Sequence, residues 1–302
     1  MAVLNYFVDT FIYICIFAIL SISLNLEAGF TRLMNFGKVA FFAVGAYTSA
    51  LLTLAGAPFI VGIIGAVILS GLAGLFVAIP TLRLREDYLA IVTIAFGEIL
   101  RLFFLGEKWL TNGSIGLGGI PRPLYEAFRE NYSLLYALIV FVSLVICYLI
   151  AERVVNSPFG RVLKAVREDE VATEALGKNI FMFKAKSLII GSSMAGVSGS
   201  LFAHYITFIA PDMFLPTLTF SVWVMVVIGG SANNLGSILG AVLIEVFERS
   251  TRFIKDFVTL PVNPANLRII IIGLLLILFV TYKPGGILEE RKMRVPSSEE
   301  AS

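Results

Sequence analysis

Glu98 and Arg101 stand three residues apart in FGEILR, inside an otherwise apolar stretch. On a helix that spacing puts both on one face, about one turn apart. A lone charge near the centre of a bilayer costs about 2.5–3.5 kcal/mol on insertion scales, so an acid and a base placed there together point to pairing. Two roles fit. Either the pair is structural, turned into a helix bundle or with the arginine reaching toward the interface, or it faces a solute path. On such a path Glu98 would meet the ammonium of a zwitterion and Arg101 its carboxylate. Thr93, five residues before Glu98 on a partly shared face, and Gly97 beside it belong to the same candidate path.

A second stretch with chemistry in it is GRVLKAVREDEVATEALGKN, residues 160–179, where charges crowd together. Ser157 followed by Pro158 predicts a helix start, with serine as N-cap and proline at the first helical position, where its missing donor costs nothing. A second short helix is predicted over VATEALG, with Asp169 or Glu170 at its N-terminal end and Gly177 free to take the left-handed conformation that closes it. Its apolar side is Val171, Ala172, Ala175 and Leu176. Such a piece is too polar to enter lipid. It is either a solvated loop helix or a docking knob, with alanines small enough for close approach and carboxylates facing basic residues on a partner.

Other chemistries find little support. His204 is the sole histidine, so no histidine cluster for a metal exists, and in AHYITF it reads as an interfacial or packing residue. Trp109 and Tyr132 fit interfacial anchoring. GLGGI at 116–120 lacks the lysine and hydroxyl of a phosphate loop, so the chain is not expected to bind ATP, and no cofactor is expected. There is no HExxH and no pair of aspartates on the apolar runs, which argues against an intramembrane enzyme. Cys15 and Cys147 both lie in apolar runs and form no disulfide framework. A net charge of +2 gives no reason to expect nucleic acid as a partner.

The elements that must position these residues follow from composition. The 302 residues are 58% hydrophobic and 15% charged, with mean hydropathy +0.91, which is the balance of a membrane protein. Apolar runs long enough for a hydrocarbon core of about 30 Å fall at 6–26, 34–54, 58–80, 88–105, 133–152, 185–208, 214–230, 236–250 and 266–282. The expected fold is all-α, a polytopic membrane helix bundle of about nine spans. Residues 1–290 form a single membrane domain containing the polar connection 153–186, and 291–302 form a flexible tail. With 153–186 on the cytoplasmic side, 15 of the 23 lysines and arginines lie inside and 8 outside. The positive-inside rule then puts the N-terminus outside and the C-terminus in the cytoplasm. The first basic residue is Arg32, so the first run lacks the positive flank of a cleavable signal and is expected to stay.

Two stretches look like broken helices: NLEAGFTRLMNFGK at 25–38 and GGSANNLGS at 229–237. Non-helical backbone at membrane depth must be buried in protein or line a watery cavity. Each is either a tight turn between spans or a place where helix ends approach a transport path, which makes Asn35, Gly37 and Asn234 candidates. The two stretches continue alike, through Gly45 and Ala46 in one and Gly240 and Ala241 in the other. SGLAGLFVA at 70–78 echoes AGVSGSLFA at 195–203. Small residues at such spacing usually mean close helix packing.

Several long blocks then resemble one family in order along nearly the whole chain: LNLEAGFTRLMNFGKVAFFAVGAYTSALL at 24–52, LRLREDYLAIVTIAFGEILRLFF at 82–104, GLGGIPRP at 116–123, the loop and span from Gly160 to Phe214, VIGGSANNLGSILGAVL at 227–243 and the closing YKPGGIL. They are similar to the LivM-type permeases of branched-chain amino acid ABC transporters. The resemblance implies a permease, not an enzyme, multi-pass in the cell (inner) membrane. It further implies a LivH-type sister permease, two ATP-binding subunits docked beneath, and an extracellular substrate-binding protein. The loop would then be the ATPase-coupling segment, through Arg161, Ala165, Arg167, Glu168, Asp169, Ala172, Glu174, Ala175 and Gly177. Two departures bear on substrate. TNGSIGLGGI stands where the family commonly shows GGPNGL, and Lys38 stands where a small polar residue or histidine is common. Relatives that move urea or amides keep a different small polar solute open, and a secondary transporter is the other class.

Overall fold

The computed structural model describes residues 2–81, 86–126, 128–129, 131–257, 264–283 and 285–290; the expected tail 291–302 lies outside them. The described helices are α1 (Ala2–Thr31), α2 (Lys38–Leu54), α3 (Phe59–Thr81), α4 (Glu86–Gly106), α5 (Lys108–Thr111), α6 (Tyr132–Val155), α7 (Pro158–Glu168), α8 (Glu170–Ala175), α9 (Ile180–Ile206), α10 (Pro216–Gly229), α11 (Asn234–Phe257) and α12 (Pro264–Tyr282). One two-residue ladder, Leu117–Gly118 against Phe208–Ile209, ties the α5–α6 connection to the α9–α10 connection.

The fold is an all-α, polytopic helical bundle. Six of these helices are long and apolar enough to cross a membrane, within α1, α3, α4, α6 and α9 and over Pro211–Gly229. The other three expected spans fall on helices that are shorter or more charged. α2 has 17 residues, the apolar part of α12 covers Ile270–Tyr282, and α11 carries Glu245, Glu248 and Arg249.

α1 runs through the middle. Ile12, Ile16, Ile19, Leu20, Ile22 and Leu24 have no exposure, because α6, α9, α10 and α11 close around it. A helix enclosed in this way must be apolar on every side, as IYICIFAILSISL is.

Beside it, α2, α3 and α9 pack tightly on small residues. Cβ atoms added at Gly45 and Gly199 would overlap the backbone of Gly196 and Phe42, and one at Gly196 would overlap Ser70. The echo segments 70–78 and 195–203 therefore belong largely to one interface, where Gly71 and Gly74 face Ser193 and Ser192. With no hydrophobic drive between helices in lipid, such close approach is what holds them together. Outward, α3, α6 and α12 expose Ile64, Ile68, Ile146, Leu274 and Ile277, the pattern of a lipid-facing surface.

One end of the bundle is closed by the last described residues. Ile287 and Leu288 donate backbone N–H groups to the carbonyls of Ile228 and Gly229 at 2.9 and 3.0 Å. Glu290 reaches Arg167 at 2.8 Å and Lys164 at 3.6 Å, so this segment joins the α10–α11 turn to α7.

Candidate functional site

The first break is shorter than the sequence suggests, because α1 continues to Thr31 and only residues 32–37 leave helical geometry. Arg32, exposed and at φ 55°, turns the chain; Leu33, Asn35 and Gly37 then run buried into the bundle. This backbone is satisfied by side chains rather than by water. Asn35 Nδ2 donates to Glu27 Oε2 at 2.8 Å, and Asn35 Oδ1 accepts from Gly37 N at 2.9 Å. Phe36 N donates to Thr93 Oγ1 at 3.0 Å, Val39 N to Thr219 Oγ1 at 3.0 Å, and Trp223 Nε1 to the carbonyl of Asn35 at 3.1 Å. Of the first-turn donors of α2, which a helix start always leaves open, Val39 N is thus met by α10, while α4 meets Phe36 N in the break itself. Glycine is required at 37, since a Cβ there would overlap the carbonyl of Thr93. A Cβ at Gly97 would come within 3.8 Å of the Gly37 Cα. Asn35, Gly37, Thr93 and Gly97 are therefore brought together.

Under this break lies an ion pair. Lys38 Nζ is 2.6 Å from Glu27 Oε1 and 3.3 Å from the carbonyl of Ser23. Room for the carboxylate comes from Gly191 on α9, where a Cβ would overlap Glu27.

Glu98 and Arg101 form a second group, separate from Thr93, which faces the break. Arg101 binds Glu98 through Nε and Nη2, the closest contact 2.6 Å, and its Nη1 lies 3.2 Å from Asp212 Oδ1. Asp212 in turn lines a cavity of about 880 Å³ between α1, α10, α11 and α12. Its wall is largely apolar. Phe36 and Trp223, both lining it, stack with ring centroids 4.8 Å apart, and the carboxylates of Glu245 and Glu248 border it from α11.

Asn234 is in neither group. It begins α11 and takes part in a chain at the turn 230–233, where Asn25 Nδ2 donates to Asn234 Oδ1 at 3.1 Å and Asn234 Nδ2 donates to Glu152 Oε1 at 3.0 Å. Asn25 Oδ1 also accepts from the backbone N of Ala232, at φ 60°. This second break is a turn locked by side chains.

The charged loop folds into two short helices. Ser157 caps α7, Asp169 caps α8 by accepting from Ala172 N at 3.0 Å, and Asn179 caps α9. Leu163, Val166 and Thr173 face inward, and a Lys184–Glu170 pair pins α8 to α9. Arg167 donates to the carbonyl of Gly29 at 3.0 Å. Burial weakens its hold on its proton, but hydrogen bonds to Glu168 and Glu290 outweigh this and keep the guanidinium above its ordinary value. Arg161, Ala165, Glu168, Asp169, Ala172, Glu174, Ala175 and Gly177 are all exposed. Gly177, at φ 76°, closes α8 as expected. Val171 and Leu176 are 78% and 79% exposed beside Ala172 and Ala175, an apolar tip on a braced support.

Residues 6–280 match the family model described as branched-chain amino acid transport system / permease component. The chain belongs to this permease family. It is similar to the high-affinity branched-chain amino acid transport system permease protein LivM of Salmonella typhimurium, 32% identical over 297 residues, covering 90% of this chain and 68% of that protein. It is similar to the probable LivM permease of Methanocaldococcus jannaschii, 31% identical over 323 residues, covering 93% and 92%. A more distant likeness, 22% over 249 residues, joins it to LivH of Salmonella typhimurium, covering 77% and 80%.

Within this LivM-type permease, Glu27, Asp212, Phe36 and Trp223 adjoin the candidate site beyond the residues expected from the sequence. Glu27 had a signal, being the one acid in the first break with Lys38 eleven residues on. The aromatics had none, since rings are abundant in every apolar run. His204 packs: its Nδ1–H donates to the carbonyl of Pro121 at 2.8 Å, which leaves Nε2 to accept from Ser49 at 2.9 Å. Trp109 is exposed as an anchor would be, whereas Tyr132 is buried.

Proposed function

We propose that this chain forms part of the translocation path for leucine, isoleucine and valine in an ATP-driven importer of the cell membrane. The match of residues 6–280 to the permease family carries this reading. Nine helices, α1–α4, α6 and α9–α12, cross the bilayer, which puts the termini on opposite sides, and the excess of lysine and arginine on the side of α7 and α8 places the N-terminus outside and the C-terminus in the cytoplasm. The chain works with a LivH-type sister permease; two ATP-binding subunits and an extracellular substrate-binding protein complete the assembly. Membrane lipid surrounds the bundle, and nucleic acid has no part in it.

In this arrangement α7 and α8 meet an ATPase through Arg161, Ala165, Arg167, Glu168, Asp169, Ala172, Glu174, Ala175 and Gly177. The exposed tip supports the role because it is apolar, small at its centre, and fixed to α9 by Lys184 and Glu170. Motion imposed on it is passed to α9 and to α1 through Arg167. Asn35, Gly37, Thr93 and Gly97 form the inner part of the path, Glu98 and Arg101 the outer part, and Asn234 holds the turn that sets α11. The chain makes no covalent chemistry of its own.

Uptake of labelled leucine in cells carrying all the subunits tests the reading, with isoleucine, valine and urea as competitors. Leucine uptake that needs this chain and is displaced by isoleucine and valine supports it. Uptake displaced only by urea would assign the chain to small polar amides instead.

A further inference from the structure

We propose that residues 285–290 form a coupling strap, which binds α7 to the α10–α11 turn so that a displacement of α7 by an ATPase moves α10 and the cavity wall that α10 provides. The proposal rests on the permease reading above and deepens it by naming the residues that carry the mechanical step. Glu290 is the positioning residue at the α7 end.

The α10 end is held through backbone. α10 stops at Gly229, so the carbonyls of its last turn have no partner within the helix. Ile287 N and Leu288 N supply two of the missing donors, to Ile228 and Gly229 at 2.9 and 3.0 Å. The approach demands glycine on both sides. Gly230 at φ 120° and Gly286 at φ 70° hold backbone that disfavours a side chain. A Cβ at Gly230 would overlap the carbonyl of Leu288, and one at Gly286 would overlap Gly230 and come within 2.8 Å of the Val227 carbonyl. Val227 and Trp223 both line the cavity, so the strap lies against the backbone of its wall.

The α7 end is held through charge. Glu290 Oε2 lies 2.8 Å from Arg167 Nη2, and its Oε1 lies 3.6 Å from Lys164 Nζ. Arg167 also donates to the carbonyl of Gly29 at 3.0 Å, so one guanidinium joins α7 to the end of α1 and to the strap. No free chain separates the two ends. Asn233 in the α10–α11 turn donates to the carbonyl of Glu289 at 3.1 Å, and Glu289 directly precedes Glu290. A shift of α7 therefore reaches α10 without slack, whereas the Lys184–Glu170 brace leads from α8 into α9. A single link of this kind has a signature: breaking either end loses the same function, and breaking both loses no more. Contacts that merely add stability at separate places would give losses that add.

Leucine uptake and ATP hydrolysis, measured in the same proteoliposomes carrying the complete transporter, give the test. Glu290→Lys should keep its ATP-binding subunits and hydrolyse ATP, while the leucine moved per ATP falls at least about twofold, the low end of what mutations along a coupling network produce. Glu290→Gln, whose carbonyl still accepts from Arg167, should stay closer to wild type. Gly286→Ala, at the other end, should lower the ratio as Glu290→Lys does, and the double variant should fall no further. Should Glu290→Lys not accumulate, Glu290→Ala takes its place; should Gly286→Ala not accumulate, the Glu290 variants decide alone. An unchanged ratio would overturn the strap. So would uptake and hydrolysis falling in step, which would make Glu290 part of ATPase seating, or losses that add in the double variant. A second readout needs no solute, and the buried Cys15 and Cys147 leave it a silent background. Spin labels at Val162→Cys on α7 and Ser231→Cys in the turn should keep one separation with and without ATP, and lose that constancy once Glu290→Lys is added. A separation that changes with ATP while Glu290 is in place would overturn the strap, whereas wild-type vesicles that take up no leucine would tell against the permease reading alone.

Discussion

Lys38 Nζ lies 2.6 Å from Glu27 Oε1, with neither side chain exposed, and the two residues flank the non-helical stretch 32–37. One charge lies in the last turn of α1 and the other begins α2, so the pair closes the break like a clasp. The second carboxylate oxygen holds Asn35, whose own Oδ1 holds Gly37 N. Removing one partner of a buried pair strands the other charge and typically costs about 3–5 kcal/mol, whereas replacing both with apolar groups of like size is often close to neutral.

Lys38→Met is therefore expected to lower the apparent melting temperature of the purified protein sharply, and Glu27→Leu with Lys38→Met to recover most of it. Thermal unfolding in detergent measures both. A Lys38→Met protein as stable as wild type would mean that Glu27 needs no cation.

Glu98 and Arg101 should behave differently. Glu98 is 39% exposed, and Arg101 also meets Asp212, so the loss of either acid leaves the guanidinium a partner. Glu98→Gln and Asp212→Asn are expected to accumulate normally yet reduce leucine uptake, with the loss falling on apparent affinity. Failure of either variant to accumulate would show that the pair is structural.

The contrast between these two pairs shows how far the sequence could be read. Apolar runs placed the helices, and Ser157–Pro158, Asp169 and Gly177 placed the loop helices, because caps and spans are local signals. Glu98 and Arg101 were visible as a pair because one helix turn separates them. Glu27 and Lys38 were not, because a break lies between them and only tertiary packing fixes the distance across it. Thr93 illustrates the same limit. Helical spacing put it near the Glu98 face, but the close approach of Gly37 claimed it for the other side of α4. Phe36 and Trp223 meet across 187 positions, and nothing local marks either ring.

Glycines separate packing from turning. A Cβ at Gly199 would overlap the carbonyl of Phe42 inside the α2–α9 contact, so Gly199→Leu is expected to prevent accumulation in the membrane. A Cβ at Gly177 meets nothing, and the only cost of Gly177→Ala is the left-handed backbone, about 1–2 kcal/mol and confined to the end of α8. Quantifying both proteins in membranes checks this; equal levels would mean that α2 and α9 do not approach as closely as described.

Orientation can be read at two exposed side chains, Ile115 at 72% and Leu176 at 79%. With the buried native cysteines silent, Ile115→Cys is expected to react with a membrane-impermeant thiol reagent in intact cells. Leu176→Cys is expected to react only after lysis. The reverse pattern would place α7 and α8 outside the cell, away from any ATPase.

The last prediction concerns the tip of α8. The sequence carries no phosphate-loop motif, so work is expected to arrive through a contact that differs between states of the complex. Ala172 is exposed between Val171 and Thr173, and Asp169 caps its backbone N at 3.0 Å. Ala172→Trp adds bulk where a partner would seat but leaves the cap and the Lys184–Glu170 brace untouched. The expected protein folds and inserts, yet either loses its ATP-binding subunits on purification or keeps them without substrate-stimulated hydrolysis. Charge reversal at Glu168 or Glu174 should weaken the contact less and in a salt-dependent way, since each exposed pair contributes only about 0.2–1 kcal/mol. Asp169→Lys is the less clean variant, because it also removes the cap, at about 0.5–2 kcal/mol, and loosens the helix as well as its charge. Full uptake by the Ala172→Trp protein would show that α8 is only solvated and that the ATPases bind elsewhere on the chain.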